Sequence, residues 1–141
     1  MDRIRLFAFG YFFLFVGVVV SGLMPQLQDA QGRQFGLFTL DFYDHSLHLA
    51  SGVWAAIAGW LGPRAARNYF KLFGPLYFLD GVLGLITGSG YLDLGIFLYG
   101  PIDMPLLTKF LANLPHYVIG GGAIWAGYFY KPSAPATEAT A

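Results

Sequence analysis

His48 and His116 open the same pattern, in which each histidine is followed by glycines four and eleven positions on and then by an aromatic ring. The first copy is His48, Gly52, Gly59, Trp60 and the second is His116, Gly120, Gly127, Tyr128. Both lie in apolar runs, where an ionisable side chain is costly unless it faces a partner. Neutral imidazole is a common ligand of haem iron. A pair held by two helices is therefore a candidate set of axial ligands for haem b, and one imidazole alone for the magnesium of a (bacterio)chlorophyll. Gly52 and Gly120, one turn beyond each histidine, would leave room for such a macrocycle. The plainer reading of the same residues is hydrogen bonding between helices or to loop backbone.

Asp80 is the other polar residue that apolar surroundings force inward, with Tyr77, Thr87 or a histidine of another helix as its partner. With His48 or His116 it would make a proton or cation relay; alone it would make an interhelical hydrogen bond. Asn113 stands three residues before His116 in a comparable apolar setting. Asp41, Asp44 and His45 cluster before an apolar run, where Asp44 is placed to cap a helix N-terminus. No converging set of carboxylates and histidines meets the ligand count of a catalytic metal centre. Nucleophile-elbow, phosphate-loop, dinucleotide and zinc-protease signatures are also lacking, so an independent enzyme is not expected.

The elements that must carry these residues follow from composition. Of 141 residues 56% are hydrophobic, 18% aromatic and only 11% charged, a balance too apolar for a soluble domain of this size. A bilayer core about 30 Å thick needs about 20 apolar residues per helix, and the chain has four such stretches, at about 6–24, 45–62, 69–90 and 105–130. In lipid the backbone must satisfy itself, so these are helices. The first is expected to be a retained helix, since no small-residue cleavage site follows it. Arg3, Arg5, Arg64, Arg67, Lys71 and Lys131 fall on one side of an alternating four-helix arrangement, which places both termini in the cytoplasm. The aromatic segments 26–44 and 91–104 are expected along the opposite interface, the second also being able to dip inward as a re-entrant turn. Residues 132–141, rich in Pro, Ala and Thr, read as a disordered cytoplasmic tail. The net charge of zero and the absence of a basic block exclude nucleic acid as a partner. Cysteine is absent, which excludes disulfides and thiolate sites.

The two halves match beyond the histidines. Gly10, Gly17 and Val18 align with Gly74, Gly81 and Val82 at equal spacing. This predicts a duplicated helical hairpin and an all-α integral membrane protein, a single domain over 1–131 built as an up-down bundle with a pseudo-two-fold axis. In a square bundle the second and fourth helices are diagonal, so His48 and His116 would face one another across the axis. Small residues four apart, such as Ala55 and Gly59 or Gly84 and Gly88, predict close helix contact within the bundle or with another subunit. Pro115 and Gly120-Gly121-Gly122 mark the last helix as the place for a kink.

The stretch Ala66-Arg67-Asn68-Tyr69-Phe70-Lys71-Leu72-Phe73-Gly74-Pro75-Leu76-Tyr77, followed by Gly81 and Gly84, resembles the third-helix entry of an uncharacterised bacterial family of four-helix membrane proteins, the domain of unknown function 4383. Asn113-Leu114-Pro115-His116 and Asp44-His45-Ser46-Leu47-His48 resemble that family's two histidine motifs, in exchanged order. The resemblance implies a four-helix fold in a bacterial inner membrane, or a specialised internal one, and supplies no activity. From the residues themselves the leading expectation is a non-catalytic accessory, structural or assembly subunit of a larger membrane complex, in contact with lipid and with other subunits or its own copies. The alternatives are a haem b or chlorin protein using His48 and His116, and a small proton-coupled transporter or channel using Asp80.

Overall fold

The computed structural model describes residues 1–131; the expected disordered tail lies outside them. The described residues are all helical apart from turns, loops and isolated bridges. Four long helices are α1 (Arg3–Gly22), α2 (Phe42–Leu61), α3 (Pro63–Thr87) and α5 (Leu106–Ile124), with a short α4 (Gly95–Leu98) before the last. Two of them, α1 and α3, are long and apolar enough to cross a membrane.

Local chemistry explains where the helices begin and end. Asp41 caps α2, its carboxylate accepting from the N–H of Tyr43 and Asp44, while Asp44 accepts from the N–H of Asp41. Asp41 thus holds the cap, and Asp44 is the third helical residue of a reciprocal capping box. The expected cap at Asp44 is corrected by one turn. Between α2 and α3 only Gly62 intervenes, at φ +129°, a conformation that glycine adopts without strain. Pro63 then opens α3, where its missing N–H has no partner to lose. The α3 helix therefore starts six residues before the expected 69, because hydropathy ends at Arg64 and Arg67 but the helix does not. Gly88 closes it in the left-handed conformation, its N–H bonded to the Gly84 carbonyl at 2.8 Å. The last helix winds without interruption through Pro115 and Gly120-Gly121-Gly122, and departs from α geometry only in the π-helical turn Trp125–Phe129. The irregularity expected in this helix lies nearer its end than either signal.

Packing is arranged around α3, which touches α1, α2 and α5. The closest pairs are α1 with α2 and α3 with α5, the two hairpins read from the repeat. The square arrangement is corrected on one side: α1 with α2, α2 with α3 and α3 with α5 pack as neighbours, but α1 and α5 leave a seam between them, and α1 instead reaches α3. Down the centre runs an aromatic ladder on one face of α3, with Tyr69, Phe73 and Tyr77 at four-residue spacing. Tyr69 and Phe73 stack at 5.0 Å and Phe73 and Tyr77 at 4.8 Å between ring centroids, and Phe15 of α1 meets the last two edge-on.

Candidate functional site

The ladder ends at both histidines. His116 of α5 stacks on Tyr77 at 4.6 Å, continuing the column, while His48 Nε2 of α2 lies 3.1 Å from the Tyr77 hydroxyl. The structure thus brings His48, Tyr77 and His116 together, with Tyr77 between the two imidazoles. A macrocycle ligated by both histidines would need that tyrosine to leave, so these residues do not fit a bis-histidine haem b or a chlorin lying between them. His48 is buried, at 8% exposure, and the Nδ1 atoms of His48 and His116 are both enclosed.

Asp80 sits one turn from Tyr77 and is 2% exposed. Its Oδ1 accepts from the backbone N–H of Tyr91 at 2.6 Å and of Leu92 at 2.9 Å, and its Oδ2 lies 3.3 Å from His116 Nε2. These contacts require the chain after α3 to fold back beside the helix, and the Tyr91 hydroxyl bonds to the Leu76 carbonyl at 2.6 Å. The second loop is thereby held against the side of α3. Both oxygens of Asp80 are engaged in holding it and in orienting His116. Asn113 lies apart from the cluster: its amide donates to the Lys109 carbonyl and packs on Gly84.

Above the histidines a cavity of about 380 Å³ lies in the seam between α1 and α5. Leu14, Gly17 and Val18 of α1 form one wall and Ala112, Pro115 and Ile119 of α5 the other. His48, Tyr77, His116 and Asp44 supply its polar groups. Phe35, Phe38 and Leu40 of the first loop roof it, a loop pinned by Gln34, whose amide donates to Ser21 Oγ at 2.6 Å. A second cavity of about 360 Å³ continues down the seam among Leu6, Phe7, Gly10, Leu14, Trp125 and Ala126. Between the two, the Tyr11 hydroxyl donates to the Ile119 carbonyl at 2.6 Å.

The glycines of the repeated pattern serve another purpose than clearing a cofactor. A Cβ on Gly120 would stand 2.6 Å from the backbone N of Phe78, and one on Gly127 2.8 Å from that of Lys71, so α5 lies directly against α3 there. Gly52 and Gly59 face α1 in the same way, against Phe12 and Phe15 and against Arg5 and Ala8. Each hairpin is also tied by an arginine: Arg5 Nε donates to the Gly59 carbonyl at 2.8 Å and Arg67 Nη1 to the Gly127 carbonyl at 3.1 Å. The glycine part of the pattern is therefore a packing repeat. Only the histidines at its head reach the cavity.

At the outer surface the Tyr99 hydroxyl donates to Asp41 Oδ2 at 3.0 Å, joining the two loops. Burial pushes the Asp41 carboxyl up, but the N–H of Asp44, the Tyr99 hydroxyl and the N–H of Tyr43 outweigh it and hold the group below the ordinary aspartate value. Sequence reasoning missed Asp44 as a lining group and Gln34 as the pin of the roof. Asp44 precedes His48 by four residues, a spacing that puts both on one helix face; nothing local marks Gln34. No family model, curated protein or solved structure matches the chain.

Proposed function

We propose that this chain is a four-span membrane protein with both ends on the cytoplasmic side, acting as a non-catalytic subunit that holds a lipid-soluble amphiphile in the seam between α1 and α5. The membrane setting is supported by the surface. Phe13, Trp60, Ile86 and Val118, one on each long helix, are all more than 60% exposed, and apolar faces of this extent need lipid or protein over them. At 1.5 Å per residue, the 20 residues of α1 reach about 30 Å. Asp80 and the histidines are turned inward, as intramembrane polar groups must be.

The observation that carries the binding role is the cavity: apolar on the side walls, polar where His48, His116 and Asp44 meet, and placed where two helices do not close. Its volume lies at the lower end of small-molecule sites, about 300–1,000 Å³. A molecule with a polar head and an apolar body would enter from the bilayer, its head reaching the histidines and its tail following the seam. The subunit role rests on the apolar helix faces, which suit contact with other membrane proteins or further copies of the chain. The test is organic extraction of the chain purified in mild detergent, with mass spectrometry of the extract. One amphiphile enriched to near one per chain is the expected result; a lipid profile identical to that of the surrounding membrane would refute it.

A further inference from the structure

We infer that the amphiphile held in the seam is an isoprenoid quinone or its quinol. This rests on the reading of the seam as an amphiphile site and narrows its ligand. Among the described residues no lysine or arginine lines the cavity, whereas Asp44 does. A fatty-acid carboxylate or a phospholipid phosphate would bring its charge into an apolar cavity with no cation to pair it, which is costly. The head is therefore neutral.

The polar groups stand on two walls. Asp44 and His48 come from α2, His116 comes from α5, and the Tyr77 ring separates the imidazoles. A single hydroxyl, as in an isoprenoid alcohol, uses one wall and leaves the other unpaired in an apolar cavity. A ring with oxygens at opposite ends uses both. Neutral imidazole donates from one nitrogen and accepts at the other; the Nδ1 atoms are enclosed, so a head is met through the Nε2 atoms, which lie 3.1 Å from the Tyr77 hydroxyl in His48 and 3.3 Å from Asp80 Oδ2 in His116. The same pair can thus donate to quinone carbonyls or accept from quinol hydroxyls, and Asp44 adds a further acceptor. Phe35 and Phe38 in the roof offer aromatic faces to a flat ring. The second cavity, sharing Leu14 with the first, lies where the first units of an isoprenoid tail would run.

Two glycines make the test clean. A Cβ on Gly17 or Gly10 meets nothing within 4 Å, although each lines one of the cavities, so larger side chains there enter open space. The full chain, in phosphatidylcholine nanodiscs, is titrated with decylubiquinone, a short-tailed menaquinone, farnesol and palmitate, following bound ligand after separation and quenching of tryptophan fluorescence. Saturable binding of a quinone at one per chain is expected, at least tenfold tighter than farnesol or palmitate. His116→Leu should weaken the quinone at least tenfold and leave farnesol unchanged. Gly17→Phe should abolish binding of the quinone, and if the His116 variant does not fold, this variant and the farnesol comparison decide. Farnesol binding as tightly as the quinones, or quinone binding untouched by Gly17→Phe, overturns the quinone assignment while leaving an amphiphile site. No binding of any of the four compounds, with no amphiphile co-purifying, overturns both.

Discussion

Gly120 and Gly17 are the same residue type in apolar helices and should respond to the same substitution in opposite ways. An alanine methyl at Gly120 would stand 2.6 Å from Phe78 N and force α5 off α3, a misfit that typically costs about 1–3 kcal/mol. At Gly17 the methyl enters open space, and reduced freedom of the unfolded chain favours the folded state by about 0.4–1 kcal/mol. Thermal unfolding in detergent should show Gly120→Ala melting lower and Gly17→Ala melting at or above the parent temperature; equal shifts would contradict the assignment of Gly120 to the helix contact. The repeated glycine pattern was legible in the sequence, but its purpose was not. Spacing says that two glycines share a face, and only packing says whether that face meets a helix or a cavity. Asp80 is a parallel case. Its inward orientation followed from hydropathy, whereas its partners Tyr91 and Leu92 depend on a loop that folds back, which no local pattern announces.

At the scale of elements, the four long helices were legible because each apolar stretch runs far longer than a strand between charged or turn-rich breaks. Their ends were less so: α3 extends to Pro63 through charged residues, and the cap of α2 belongs to Asp41. Each hairpin depends on an arginine that reaches across to a carbonyl. Arg67→Ala removes bonds to Gly127 and Tyr130, and charged hydrogen bonds of this kind are worth about 1.5–3 kcal/mol when shielded. Faster hydrogen exchange at the end of α5, with the α1–α2 hairpin unaffected, is the expected signature; uniform loosening of all helices would speak against independent hairpin ties. The cap of α2 carries a pH dependence. Because the Asp41 carboxyl is held below its ordinary value, its contribution is complete above the unfolded pKa of about 3.9 and is lost as pH falls through the lower folded value. Exchange at the N–H of Tyr43 and Asp44 should therefore stay protected down to about pH 4 and rise relative to the α2 interior below it; Asp41→Asn should remove that dependence.

The whole molecule combines an apolar exterior, two hairpins gathered on α3, and an open seam where two helices fail to meet. The diagonal facing of His48 and His116 was drawn from a square bundle; placing α3 between them changes the chemistry from shared ligation to a column of stacked rings. Long-range order of this kind is set by the summed fit of small residues and rings, which sequence spacing does not encode. The proposed orientation is open to direct labelling, since the chain has no cysteine of its own. A single cysteine at Gln31 should react with an impermeant maleimide added outside the cell and one at Arg64 only after lysis; the reverse pattern would invert the topology. The measurement that bears most directly on the central claim is native mass spectrometry of the chain released from nanodiscs loaded with its own membrane lipids, beside Gly17→Phe. One retained non-phospholipid molecule per parent chain and none in the variant is the expected result, with both proteins equally helical. Bare chains in both samples, or the same adducts in both, would contradict it.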